Sequence, residues 1–464
     1  MRSADFELDD ALLLDLSGPG PRYTSYPTVP EWNEAFGSND ALEAIERAAE
    51  RPDEPLSLYV HLPFCGRMCL FCGCTVEITK RRDRVERYLE ALEREFELVS
   101  QRLGARKKLA QLHWGGGTPT HLDPGQLQRV FGMISSRFEI LPGAEVSLEA
   151  HPHVTTFEQI DVLKKLGFNR ISMGVQDLDP HVQKIIHRDQ TTEETVNLVA
   201  YARKVGFEGV NLDLLYGLPE QNERTFGSTL DIIASIRPDR LAVYGYAHVP
   251  WHKEAQRSLE QYTMPTPVER ARLFGLSIEK LGAAGYEVIG LDHFALPTDA
   301  LYLAIERGIL HRNFMGYTTA PAEQMIALGM SSISDVGNAF FQNARTTEEY
   351  EARINKGELP IVRGMVRSAE DDLRRAVIQD VMCRMRLDLD ELEVRFRRRD
   401  LAAHFASEWK ELERFQKLGF CTVGPRRLDV TPKGRLFLRH LAMVFDAYLK
   451  NKPKSGEERF SRTV

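Results

Sequence analysis

Cys65, Cys69 and Cys72 lie in the string Tyr59-Val-His-Leu-Pro-Phe-Cys-Gly-Arg-Met-Cys-Leu-Phe-Cys-Gly-Cys74, just after a short apolar run. Four of the chain's six cysteines fall within these residues. Three thiolates at this spacing can wrap an iron–sulfur cubane, holding three irons and leaving the fourth without a protein ligand. An open iron is a place for chemistry, because another molecule must bind there. Cys74 could be a fourth ligand, but its single-residue spacing from Cys72 strains a loop that already turns around a cluster.

Two other readings of nearby cysteines fit less well. Disulfides accompany secretion, and residues 1–30 are polar and acidic, without the long apolar run of a secretory segment. Structural zinc usually takes four ligands, often as two separated pairs. Cys383 and Cys421 are isolated and are read as buried small hydrophobes or inert thiols.

Further reactive residues fall at the ends of apolar runs. Gly115-Gly-Gly-Thr-Pro119 closes one run; three glycines allow close backbone approach and expose N–H groups to a carboxylate. Glu149 closes the next, followed by His151 and His153. Gln176 and Asp177 close a third, with Arg188 in a short connector, and Asp213 sits inside a fourth. A charge within such a run costs free energy unless it is paired or serves a site. Together these groups suit a zwitterionic nucleoside. A carboxylate meets its ammonium, backbone N–H or Arg its carboxylate, and Asp its ribose diol. S-adenosylmethionine is such a molecule, and its amino acid end can chelate the open iron.

The elements that position these groups follow a rhythm. Strand-like runs at 56–62, 111–115, 145–150, 170–175, 209–216 and 240–246 alternate with amphipathic stretches at 85–102, 124–137, 157–166, 192–205 and 223–236. Repeated βα units predict a parallel sheet with right-handed crossovers, and ligands gather at the carboxyl ends of its strands. A helix is expected over 267–283 and a further sheet strand at 287–291.

The ends of the chain differ. Residues 15–30 hold four prolines and two glycines around Arg22-Tyr-Thr-Ser-Tyr26, so they form an irregular arm. Arg22, Tyr23, Ser25 and Tyr26 are suitable donors for carboxylates. From residue 369 helices dominate, at 371–385, 401–417 and 434–450, with a small hairpin at 422–431. The expected units are an N-terminal arm over 1–50, a barrel over 51–350 and a mostly helical domain over 351–464.

The chain has 464 residues, 43% hydrophobic and 27% charged, the composition of a soluble globular protein. No window approaches the ~18 to 20 apolar residues of a membrane span. A net charge of −7 does not favour nucleic acid or an anionic membrane. The basic run Arg395-Phe-Arg-Arg-Arg399 reads as a solvated helix face. Reactive cysteines without a secretion signal argue for a reducing cytoplasm.

Cys65-x3-Cys69-x2-Cys72 followed by Gly115-Gly-Gly resembles the radical S-adenosylmethionine superfamily. Longer strings resemble one of its families, the bacterial oxygen-independent coproporphyrinogen III oxidases (dehydrogenases). They are Pro21-Arg-Tyr-Thr-Ser-Tyr-Pro-Thr28, Phe71-Cys-Gly-Cys74, Leu112-His-Trp-Gly-Gly-Gly-Thr-Pro-Thr120, Phe168-Asn-Arg-Ile-Ser-Met-Gly-Val-Gln-Asp177, Asp213-Leu-Leu-Tyr-Gly-Leu-Pro219, Asp292-His-Phe294, His311-Arg-Asn-Phe314 and the tail Arg459-Phe-Ser-Arg462.

The resemblance implies an α/β fold with a partial (β/α)6 radical-SAM barrel, a [4Fe-4S] cluster on Cys65, Cys69 and Cys72, and two S-adenosylmethionine molecules. Tyr59, Gly116, Glu149 and Ile333 would hold the first. Phe71, Gly117, Thr118, Gln176, Arg188, Asp213 and Ala247 would hold the second. Tyr59 and His61 would act near the substrate. The implied reaction, in porphyrin and haem biosynthesis, converts two propionates of coproporphyrinogen III to vinyls through a 5′-deoxyadenosyl radical, giving protoporphyrinogen IX. It would need an electron donor and an electron acceptor, and the chain is expected to be a monomer. Arg22, Arg188, His311 and Arg312 are candidates to receive the substrate's carboxylates. The alternative is a haem-binding chaperone of the same superfamily without oxidase activity.

Two residues depart from the family pattern. His151 stands where the family usually has Asp, and Met315 where it usually has Gln, which removes an amide contact to cofactor or substrate.

Overall fold

Strand β1 (Leu56–Leu62) is buried along nearly its whole length, as an apolar strand covered on both faces must be. Strands β2 (Lys108–Gly116), β3 (Glu139–Ala150), β4 (Arg170–Gln176), β5 (Gly209–Tyr216) and β6 (Arg240–Gly245) follow. They pair parallel and in chain order, β1-β2-β3-β4-β5-β6. Helices Arg82–Arg102, Pro124–Ser135, Phe157–Lys165, Thr192–Lys204 and Glu223–Ile236 make the crossovers. Asp123, Thr156, Thr191 and Asn222 each cap the helix that follows by accepting a backbone N–H. This is the six-strand barrel core expected from the alternation of runs. The computed structural model describes residues 10–319 and 322–450, so the tail motif Arg459-Phe-Ser-Arg462 lies outside the described residues.

The sheet extends at both edges. Helix Pro267–Ala283 leads to β7 (Glu287–Gly290), and β8 (His293–Ala295) lies antiparallel between β7 and β6. On the other side β9 (Met325–Leu328) pairs parallel with β1. Then β10 (Ile333–Val336), β11 (Ala339–Asn343) and β12 (Ile361–Val366) add antiparallel, giving one sheet of twelve strands. Sequence analysis assigned no strands to β9–β12, whose runs are short and are interrupted by Gly329 and Gly337, both at positive φ.

The N-terminal fifty residues are only partly an arm. Helix Ser38–Ala49 buries Ala41, Ala44, Ile45 and Ala48 in the main core with β1 and β11. Between it and helix Asp10–Leu16 the chain is irregular, as its prolines require. Leu16, Tyr23 and Tyr26 join a second core with C-terminal residues such as Phe405, Phe437 and Phe445.

The C-terminal helices are more broken than the sequence suggests. Helix Ala369–Gln379 passes into a π turn over Asp380–Arg384 and ends at Met385, with φ 55°. The stretch 401–417 divides at Phe405, and 434–450 divides into three short pieces. The expected hairpin is present, with Cys421–Val423 antiparallel to Arg427–Val430.

Candidate active site

β1 ends in the cysteine loop, which closes on itself where Phe64–Cys65 pairs with Glu77–Ile78. Cys65, Cys69 and Cys72 are half-buried and Cys74 is exposed. All four line a cavity of about 450 Å³. Phe71, Gly116, Gly117, Thr118, Glu149, Gln176, Arg188 and Asp213 line the same cavity, so most of the predicted site residues converge on it. Thr118 Oγ1 lies 3.5 Å from Cys65 Sγ, and Arg188 Nη1 lies 3.7 Å from Cys69 Sγ.

Among the described residues no three of His, Cys, Asp and Glu close on one point as a single metal ion requires. A four-iron cluster asks for something different, namely separate thiolates around a volume. Three half-buried thiols around this cavity, with a guanidinium beside one of them, fit that need. Burial pushes the Cys65 thiol up to about 11, whereas the side-chain hydrogen bond with Cys74 brings Cys72 down to about 6.

The glycine run lines the cavity and also packs closely within the chain. The Gly116 N–H goes to Glu149 Oε2 at 3.0 Å, that of Gly117 to the Leu62 carbonyl at 2.9 Å and that of Thr118 to the Phe64 carbonyl at 2.9 Å. The N–H groups expected to be open to a ligand carboxylate are therefore committed within the chain. Gly116 has φ 119°, and a Cβ there would stand 2.7 Å from the His61 ring. A Cβ at Gly117 would stand 2.5 Å from the Pro63 carbonyl oxygen. Glycine here lets β2 end directly against the cysteine loop.

Burial alone would raise Glu149, but His113 and the Gly116 N–H outweigh it and hold the carboxyl below its ordinary value. Asp213 moves the other way, up to about 6, by burial first and then by repulsion from Glu149. Ser172 and Asn211 donate to it at 3.0 and 2.8 Å. Two carboxyls on one cavity are therefore driven apart, one ionised and one easily protonated. Burial also lowers His151 to about 2, so this departure from the family pattern lines the cavity as a neutral ring.

Tyr59 and His61 sit behind the glycines. The Tyr59 hydroxyl is 3.1 Å from His61 Nδ1, and His61 Nε2 is 2.9 Å from the Thr75 carbonyl. Burial lowers the His61 pKa, so the ring is neutral. A carbonyl only accepts, so Nε2 carries the proton and Nδ1 accepts from Tyr59. Tyr59 also stacks on His113 with centroids 5.9 Å apart.

Ala247 and Ile333 do not line this cavity. Ala247 is exposed in the loop after β6, and Ile333 is half-buried at the start of β10. Sequence analysis missed Gln256, whose Nε2 donates to the carbonyls of Phe71 (3.0 Å) and Ala247 (3.2 Å) and so ties the cysteine loop to that β6 exit. It also missed Gly174, where a Cβ would stand 2.8 Å from Gln176 Nε2 and 3.1 Å from Arg188 Nη2. A smaller cavity of about 130 Å³ inside the barrel shares Glu149 and Asp213 and is lined by Tyr244, His293, Met315 and Tyr317.

The arm is used differently from expectation. Tyr23 donates to Asp446 at 2.9 Å, and the Tyr26 hydroxyl accepts the Ala447 N–H at 3.2 Å. Both are buried, and Ser25 with them. The two tyrosine hydroxyls therefore bind the arm to the C-terminal region and are not presented to a substrate. Arg22 is the member of the set that faces the barrel, paired with Asp292 at 3.0 Å.

A parallel-strand barrel with three thiols on its first loop defines a radical S-adenosylmethionine enzyme. The Radical SAM superfamily matches residues 59–233, and the HemN C-terminal domain matches residues 368–437. Curated oxygen-independent coproporphyrinogen III oxidases match nearly end to end. That of Pseudomonas aeruginosa is 42% identical, covering 97% of each chain, and that of Escherichia coli is 39% identical, covering 100% of each. The solved coproporphyrinogen III oxidase (HemN) from Escherichia coli superposes with a TM-score of 0.90 at 38% identity, over 96% of this chain and 100% of that one. The chain belongs to the oxygen-independent coproporphyrinogen III oxidase family.

Proposed function

We propose that the protein oxidatively decarboxylates two propionates of coproporphyrinogen III to vinyls and so forms protoporphyrinogen IX. The observation that carries this is the convergence of three thiols, Glu149, Gln176, Arg188 and Asp213 on one cavity, in a chain collinear with named oxidases. That collinearity also favours the oxidase over the haem-binding chaperone. A bound [4Fe-4S] cluster and S-adenosylmethionine supply a 5′-deoxyadenosyl radical.

The protein's part is to bind and orient. Cys65, Cys69 and Cys72 hold the cluster. Tyr59, Gly116, Glu149 and Ile333 hold one S-adenosylmethionine, where ionised Glu149 suits an ammonium. Phe71, Gly117, Thr118, Gln176, Arg188, Asp213 and Ala247 hold a second, where Asp213 suits a ribose diol and Arg188 a carboxylate. The two carboxyls with opposite shifts support two separate tasks. Tyr59 and His61 form a fixed pair that keeps one phenolic proton on a defined axis toward Nδ1. The Gln256 bridge supports Ala247 and Phe71 acting in one site.

Each propionate loses a hydrogen atom, carbon dioxide and one electron, so an electron donor and an electron acceptor from outside the chain are needed. We read the protein as a monomer, and as cytoplasmic because unpaired cysteines suit a reducing compartment. Among the described residues no helix is long and apolar enough to cross a membrane. The test is the ratio of products. Two 5′-deoxyadenosine and two carbon dioxide should appear per porphyrinogen; S-adenosylmethionine cleavage that coproporphyrinogen III never couples to carbon dioxide release would contradict the reading.

A further inference from the structure

Where the arm meets the barrel, the chain gathers guanidiniums that the cluster and S-adenosylmethionine sites do not use. Arg22 pairs with Asp292 at 3.0 Å and lies over the Tyr244 ring, 5.4 Å from its centre. Arg312 lies 4.7 Å from the centre of the Tyr317 ring, and its Nε donates to the Arg22 carbonyl at 3.2 Å. Arg439 fixes the arm from the other side, donating to the Pro21 carbonyl at 3.0 Å and to that of Gly20. Tyr244, Tyr317 and His293, which holds Asp292 at 2.7 Å, line the inner barrel cavity together with Glu149 and Asp213. The guanidiniums of Arg22 and Arg312 thus lie against the Tyr244 and Tyr317 rings that line this inner cavity.

Asp292 is the carboxylate that both guanidiniums stabilise, and together with His293 they outweigh its burial and hold it well below the usual carboxylate range. Arg312 is 3% exposed, and its Nη1 has no hydrogen-bond partner among the described residues. A buried guanidinium with an open N–H is costly unless an anion completes it.

We propose that Arg22 and Arg312 form a carboxylate site for the propionates of the substrate that survive the reaction. This rests on the coproporphyrinogen reading above. Of the four propionates in that substrate, two become vinyls and two remain. A guanidinium stabilises a carboxylate as a carboxylate, which opposes its departure as carbon dioxide. Strong ion pairs therefore belong to the groups that are kept. The other candidate cations are placed for different work: Arg188 lines the cysteine-loop cavity beside Cys69 and belongs to the proposed S-adenosylmethionine site, and burial lowers His311 to about 4, leaving it neutral.

The test uses the full-length protein and coproporphyrin III, the aromatic tetracarboxylate, followed by fluorescence, with its tetramethyl ester as the uncharged control. Wild-type turnover of coproporphyrinogen III is measured first and checks the underlying reading by itself. Given that turnover, Arg312→Met is expected to weaken coproporphyrin III binding by about tenfold or more and Arg22→Gln by severalfold. Arg312→Lys, which keeps charge but not the planar fork, should fall between. The ester should bind all variants alike. KM for coproporphyrinogen III should rise in the same order, while S-adenosylmethionine cleavage without substrate stays at the wild-type rate. If Arg312→Met loses its cluster, Arg22→Gln decides the matter. Wild-type affinity for the tetra-acid in Arg22→Gln, or equal weakening for acid and ester, overturns the proposal.

Discussion

The Glu149 carboxylate accepts the Gly116 N–H at 3.0 Å, so the acid that ends β3 is held against the glycine run that ends β2. The contact leaves no room between them. A Cβ at Gly115 would stand 3.0 Å from the Glu149 carboxyl carbon, and one at Gly116 would stand 2.7 Å from His61. A substitution here therefore moves groups that are already hydrogen-bonded on both sides.

Gly116→Ala is expected to keep the four-iron absorbance and lose S-adenosylmethionine affinity by about tenfold or more, since Ala is strained at φ 119° and the His61 ring must move. Equilibrium dialysis of the anaerobic, reconstituted protein measures this. Unchanged affinity would mean that the Glu149–Gly116–His61 arrangement does not shape the site.

Asp213 gives a pH signature in the apo protein. Its folded pKa, raised to about 6 from 3.8, means that the native state takes up a proton there. The associated stability is fully present below pH 3.8 and is lost as pH rises through about 6. Asp213→Asn should therefore raise the unfolding free energy by about 1–2 kcal/mol at pH 7 and above, after allowing for partial exposure, with no gain below pH 4. Denaturant titrations at both pH values test it.

How far the sequence revealed this molecule depended on the range of the interaction. β1–β6 were legible because strands buried on both faces are continuous apolar runs, and a charge such as Glu149 or Asp213 at their ends stands out. β9 was not, because its place beside β1 rests on pairing Ser57–Val60 with Met325–Leu328 across most of the chain. Gln256 and Gly174 were missed for the same reason: an amide in a short helix and a glycine in a strand carry no local sign of the backbone or guanidinium they will meet. The arm misled in another way. Tyr23 and Tyr26 have the right donors for a carboxylate, but only the folded chain shows Tyr23 donating to Asp446 and the Tyr26 hydroxyl accepting the Ala447 N–H.

Tyr23→Phe should cost about 1–2 kcal/mol of stability, because it removes a buried hydrogen bond and leaves Asp446 with one donor fewer. Removal of residues 1–30 would strip Leu16, Tyr23 and Tyr26 from the second core, so the truncated protein should unfold at lower temperature as well as lose vinyl formation. A truncated protein with wild-type melting would show that the arm is not part of that core.

For the cluster, Cys65→Ala, Cys69→Ala and Cys72→Ala should each abolish a stable four-iron absorbance, while Cys74→Ala should retain iron and sulfide. Loss in Cys74→Ala as complete as in the others would replace the open iron with a fourth protein ligand. For the nucleoside, binding should level off at two S-adenosylmethionine per chain. Saturation at one, unaffected by Asp213→Ala, would remove the second site.

The most direct test of the whole account is anaerobic incubation of the reconstituted full-length protein with coproporphyrinogen III, S-adenosylmethionine, a reductant and an electron acceptor, followed by identification of the porphyrin. The account predicts protoporphyrinogen IX, with two propionates replaced by vinyls and formation abolished in Cys69→Ala. Coproporphyrinogen III recovered unchanged by a protein that carries its cluster, cleaves S-adenosylmethionine and binds haem tightly would contradict it.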